Sequence, residues 1–201
     1  MWGALARRQA ELMPRLVRFC ACTAPALMLV YGLLRVVDGL DGDRHNGPAW
    51  DVGHVAFFTA IVLFAVFAVA LRRLDRPAAT ASRVLVEAAT AAVLFGGACF
   101  LWVITGDLFA DFHNAAPLPE ALDLIGPALF QVGLLVLLVR LVRAGRLPFW
   151  SPVAVLVGFV AIGADLDLLP VGSALVLVAL LPLAVARPGR REDSLTGTTS
   201  R

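Results

Sequence analysis

The sequence predicts an all-α polytopic membrane protein: six transmembrane helices in three hairpins, with the first two hairpins forming a parallel tandem repeat. Three observations carry this expectation. Of the 201 residues, 60% are hydrophobic and only 16% are charged, whereas soluble domains hold roughly 45–50% apolar and about 25% charged residues. Uncharged stretches of 16 to 19 residues recur six times, at 19–34, 55–71, 88–106, 124–139, 147–164 and 168–186. The basic residues, all of them arginine, gather in alternate connections between these stretches. A net charge of +2 is too small to argue for a nucleic-acid partner, so the expected environment is the lipid bilayer.

With a few flanking residues each stretch reaches the ~20 positions needed to cross a ~30 Å hydrocarbon layer. Alternation of period two is absent, and a lipid-embedded backbone must satisfy its own polar groups, so each stretch reads as a helix. The spans are placed at about 17–37, 54–71, 84–106, 123–142, 148–165 and 168–187, within a transmembrane domain of 19–187. A cytoplasmic N-terminal segment, 1–18, precedes it. The stretch 188–201, rich in Gly, Ser, Thr and charge, reads as a disordered cytoplasmic tail. A basic start before an apolar run resembles a signal peptide, but five further stretches follow and no clean small-x-small site does, so the first span is expected to be retained.

Taken in order, the elements show one charge pattern. Arg7, Arg8, Arg15 and Arg18 precede span one; Arg72, Arg73, Arg76 and Arg83 join spans two and three; Arg140, Arg143 and Arg146 join four and five; Arg187, Arg190, Arg191 and Arg201 follow six. The positive-inside rule places that side, and both termini, in the cytoplasm. Asp38, Asp41, Asp43, Asp51, Asp107, Asp111, Glu120, Asp123, Asp165 and Asp167 fall on the other side, which makes the outer face acidic. A basic complement without lysine, beside abundant Ala, Val, Leu and Gly, points to a G+C-rich bacterial genome and the bacterial plasma membrane.

Most other polar or special residues have structural readings. Arg35 stands three positions before Asp38 and Glu87 four after Arg83, both helical ion-pair spacings. Thr59, Thr90, Thr105 and Gln131 suit hydrogen bonds within or between helices, and Gly96, Gly97, Gly133 and Gly158 suit close helix approach. Trp50, Trp102 and Trp150 sit near span ends as interfacial anchors. Pro25, Pro127 and Pro182 fall inside spans, Pro152 and Pro170 at helix starts. Cys20, Cys22 and Cys99 read as small apolar fillers.

The repeat rests on a four-residue string. Asp43-Arg44-His45-Asn46 in the first outer loop recurs as Asp111-Phe112-His113-Asn114 in the second, 68 residues on, and the same offset carries Arg72 onto Arg140. Copies running in the same direction through a membrane are related by an axis along its normal. All three histidines lie on the outer side with ten of the acids. Imidazole with carboxylate is a donor set for zinc-like divalent metals. A metal site is therefore expected from His45, His54, His113, Asp43, Asp111 and Asp123, where the two repeats meet at the outer interface. The alternative for the same residues is turn and cap chemistry, for which Asp and Asn are equally suited.

Function is bounded by what the spans lack. Charges near mid-membrane, which coupled transporters keep at about 2.5–3.5 kcal/mol each, are missing from the middle of the spans, and no phosphate-binding or nucleophile-elbow string occurs. The leading expectation is a multi-pass membrane protein whose acidic His/Asp outer face binds a divalent metal, an ion or a protein partner, a second copy included. A metal-dependent enzyme acting at the outer lipid–water interface, or a small assembly subunit of a larger membrane complex, are the alternatives.

Overall fold

The first four uncharged stretches form helices that run past their apolar limits into polar residues at both ends, whereas the helices of the last two end within those limits. The computed structural model describes residues 2–40, 47–74, 77 and 79–185, with side chains from Leu12 onward. These comprise α1 (Trp2–Asp38), α2 (Gly47–Leu74), α3 (Thr80–Leu108), the short α4 (Ala110–Ala115), α5 (Glu120–Arg143), α6 (Trp150–Ala164) and α7 (Leu169–Val185), the last entered through a 3-10 turn at Leu166–Leu168. Among the described residues the protein is entirely helical, without strands. The expected tail, 188–201, and the first copy of the repeated string lie outside them.

Among the described residues five helices are long and apolar enough to cross a membrane: Leu12–Asp38 within α1, α2, α3, α5, and Leu166–Val185. The fifth expected span, 148–165, is represented by α6, which is apolar but has 15 residues, a rise of only about 22 Å. Helix α1 begins at Trp2, so the arginine-bearing segment before the first span is its opening turns rather than a separate piece. In lipid or water alike, a helix continues until its backbone is offered a better alternative. Those turns carry one glycine, Gly3, at the very start, and Pro14 is the one proline among them.

Helix α1 packs against α2 and α7, α2 against α3, α3 against α5, and α6 against α7, whereas α5 and α6 touch only lightly. Small residues stand where backbones approach closest. A Cβ on Gly96 would meet the Gly126 carbonyl oxygen at 2.3 Å, and one on Gly133 the Ala89 oxygen at 2.5 Å, so α3 and α5 fit only because both glycines lack one. Gly158 of α6 and Gly172 of α7 stand against each other in the same way. This is the packing that replaces the hydrophobic drive when lipid is the surrounding solvent.

Aromatic rings fill the space between α2, α3, α5 and α6. Phe64, Phe130 and Phe159 meet edge to face with centroids 5.8 to 6.3 Å apart, and Phe100 stands 5.5 Å from Phe130. Such T-shaped pairs satisfy the ring quadrupoles. Large apolar side chains such as Val62, Phe95, Val132, Val157 and Val178 point outward, away from this core. Thr59, Thr90 and Thr105 each donate to the carbonyl four residues back, at 2.6 to 2.8 Å, which settles their hydroxyls within their own helix. Glu87 accepts from Nε of Arg72 at 2.7 Å, across from α2 to α3; the partner is thus the preceding helix, not the Arg83 one turn away.

A buried histidine and an acidic pocket at one end of the bundle

The polar side chains of α1, α2 and α3 meet at the end of the bundle where α1 finishes and α2 starts. Tyr31, Arg35 and Asp38 recur at helical spacing on the last turns of α1, Trp50 and His54 one turn apart on α2, and Asp107 closes α3. Gly53 lets the two helices approach, since a Cβ there would stand 3.2 Å from the Tyr31 ring. The His54 ring is consequently only 1% exposed.

Geometry fixes how this histidine is held. Nδ1 of His54 lies 2.9 Å from the Trp50 carbonyl oxygen, an acceptor only, so Nδ1 carries the hydrogen and donates it. The other nitrogen, Nε2, lies 3.4 Å from the Tyr31 hydroxyl and 3.6 Å from Oδ2 of Asp107. With Nδ1 carrying the ring hydrogen, Nε2 of the neutral tautomer is an acceptor that faces the Tyr31 hydroxyl. Rings pack around it: Trp50 at 3.8 Å and Tyr31 at 5.0 Å between centroids, with Phe57 stacked on Tyr31 at 4.6 Å. Through Phe57 and Phe100 this cluster is continuous with the aromatic core.

Asp107 belongs to a second feature. Its residue lines a pocket of about 120 Å³ together with His113, Asp123, Trp102, Phe112 and Leu118. Helix α4 forms the lid, and two contacts set its position. Nε1 of Trp102 donates to the Ala116 carbonyl at 2.8 Å, and the His113 ring lies over Gly106, where an added Cβ would come 3.3 Å from its Nδ1. Trp50 also donates weakly to the Asp107 carbonyl, at 3.4 Å. The Asp107 carboxylate therefore faces the buried imidazole while its residue forms part of the pocket wall.

The six residues named from sequence are distributed as follows. His113 and Asp123 share the pocket. His54 is buried behind it, in contact with Asp107. Asp111 stands exposed on α4, and Asp43 and His45 lie outside the described residues. Among the described residues no group of three or more His, Cys, Asp and Glu is gathered in a way that could hold a metal ion. Tyr31 was missed, although it is the single tyrosine and stands four residues before Arg35 and seven before Asp38, a helical stripe visible in the sequence. Asp107 was read only as one of many outer acids, and Trp50 only as an anchor.

Among the described residues the protein is all-helical, with five candidate membrane-spanning helices and a polar site at one end of the bundle. No family model matches the chain, and no curated protein or solved structure matches it either.

Proposed function

We propose that the chain is a six-span protein of the bacterial plasma membrane, with both termini cytoplasmic, that binds a small cation in the outer pocket of Asp107, His113 and Asp123 without transforming it. The observation that carries this reading is the placement of Asp107 between a buried, doubly held imidazole and a pocket whose other wall bears a second carboxylate. Two carboxylates supply negative charge, and the Trp102 and Phe112 faces add the aromatic surface that attracts cations. A volume of about 120 Å³ is well below the roughly 300–1,000 Å³ of sites for drug-sized ligands, so the ligand is a few heavy atoms in size. The carboxylates line one pocket without converging as a metal group, which favours an ammonium-type or hydrated ion over a directly coordinated one.

Six spans follow if α6, with Leu147 to Phe149 before it and the 3-10 turn after it, crosses by local thinning of the bilayer. The arginine pattern supports the orientation. Titration of the detergent-purified protein with methylammonium, magnesium and zinc, followed by thermal shift, tests the binding. Saturable stabilisation by methylammonium that is lost in Asp107→Asn and in Asp123→Asn is expected. Stoichiometric zinc in the purified protein that disappears in His45→Ala and His113→Ala would replace this reading with the metal site, and no response to any cation would remove it.

A further inference from the structure

A groove of about 400 Å³ runs along the opposite half of the bundle. Its floor is α2, from Val62 through Ala65, Val66, Val69 and Ala70 to Arg73; Met13 and Leu16 of α1 form one wall, Leu94 and Leu101 of α3 the other. From Val62 to Arg73 is eleven residues, about 16 Å of helix. Among the described residues Arg73 is the only charged one lining it, and it stands next to last in α2, at the depth where a spanning helix leaves the hydrocarbon. The rest of the lining is aliphatic. The adjacent Arg72 is committed to Glu87, while no described carboxylate pairs with Arg73.

We propose that this groove is a binding site for one anionic phospholipid, its phosphate held by Arg73 and one acyl chain laid between α1 and α3 toward the bilayer centre. Three features argue for this occupant. The lining suits an acyl chain: it is apolar apart from Arg73 and runs about half a bilayer along α2. The charge that the described lining does carry is the Arg73 cation at the headgroup end, which complements a phosphate, and basic pockets between spanning helices bind anionic headgroups. The guanidinium also presents two parallel donors to phosphate oxygens, a geometry an ammonium lacks. Ala65 and Ala70 are the smallest residues of the lining, so a larger side chain at either would take up space that a lipid chain needs. Which side of the membrane Arg73 occupies does not enter the argument; that the chain lies in a bilayer does.

The test is native mass spectrometry of the detergent-purified full chain offered equal amounts of phosphatidylglycerol and phosphatidylethanolamine with identical acyl chains. A single retained phosphatidylglycerol, preferred at least fivefold, is expected for the wild type and for Arg73→Lys at a reduced ratio. Arg73→Gln should bring the ratio near one, and Ala65→Leu, which fills the groove and leaves the arginine, should lower retention of both lipids. Equal retention by the wild type, or a preference that survives Arg73→Gln, overturns the site while leaving the membrane reading intact. A chain that stays monodisperse in buffer without detergent overturns both.

Discussion

Oδ2 of Asp107 lies 3.6 Å from Nε2 of His54 although the two residues stand on different helices. That contact joins the start of α2 to the end of α3 and links the buried cluster to the pocket. It also explains why so polar a side chain as His54 is enclosed: Trp50, Tyr31 and Asp107 together occupy both ring nitrogens, and a buried polar group costs little once it is paired.

His54→Ala should therefore destabilise the protein by about 2–4 kcal/mol, because it opens a cavity between Tyr31 and Trp50 and removes the partner of Asp107. Asp107→Asn, which keeps the shape and loses only the charge, should cost about 1 kcal/mol. Thermal unfolding in a fixed detergent measures both. Equal losses for the two variants would mean that the imidazole contributes no packing of its own.

At the α3–α5 contact, size decides. Gly96→Val would drive side-chain atoms into the Gly126 carbonyl and the Phe130 backbone, and should cost about 3 kcal/mol or more, as overpacking without room to relax does. Gly163 has nothing within 4 Å of an added Cβ and lies in helix α6. Gly163→Ala should accordingly be neutral or stabilise by about 0.4–1 kcal/mol. Comparing the two in one unfolding series separates a packing requirement from a general intolerance of larger residues.

The pair between Arg72 and Glu87 is short, at 2.7 Å, but its side chains are 45% and 48% exposed. Solvent screening limits such pairs to about 0–1 kcal/mol. A double-mutant cycle with Arg72→Gln and Glu87→Gln is expected to return a coupling in that range that shrinks with added salt. A coupling above about 2 kcal/mol, insensitive to salt, would show that lipid rather than water surrounds the pair.

Orientation can be read chemically. In a background with Cys20, Cys22 and Cys99 replaced by serine or alanine, Ala115→Cys on α4 should react with an impermeant maleimide on intact cells, and Ala144→Cys only after lysis. The reverse pattern would place the arginine-bearing connections outside, against the positive-inside rule.

Much of the architecture was legible in the sequence because the relevant physics is local. A run such as 55–71 without a charge has one stable conformation in hydrocarbon, and arginines at its ends mark where it stops. Of the four glycines expected at close approaches, Gly96, Gly133 and Gly158 stand at one, whereas a Cβ on Gly97 would meet nothing nearer than the Ile61 side chain at 3.7 Å. Two details were less legible. Helix α1 extends back to Trp2, and α6 has only 15 residues, because helix ends are set by competing caps and turns rather than by hydropathy.

The candidate site was only half legible, and the reason lies in rotation. Residue types told that His54, His113 and Asp123 belong to the acidic end, and the structure puts the last two around one pocket. Whether Tyr31, His54 and Asp107 touch depends on how α1, α2 and α3 are turned about their own axes. The stripe of Tyr31, Arg35 and Asp38 marks one face of α1, but the apolar lengths of α2 and α3 carry no stripe from which their own angles can be read. The sequence by itself determined that most of this chain is helical and apolar enough for lipid, and which residues cluster at each end. Only the tertiary structure decided which faces meet, since that is settled by close packing between helices, through pairs such as Gly96 with Gly126 and Gly53 with Tyr31, which no local pattern encodes.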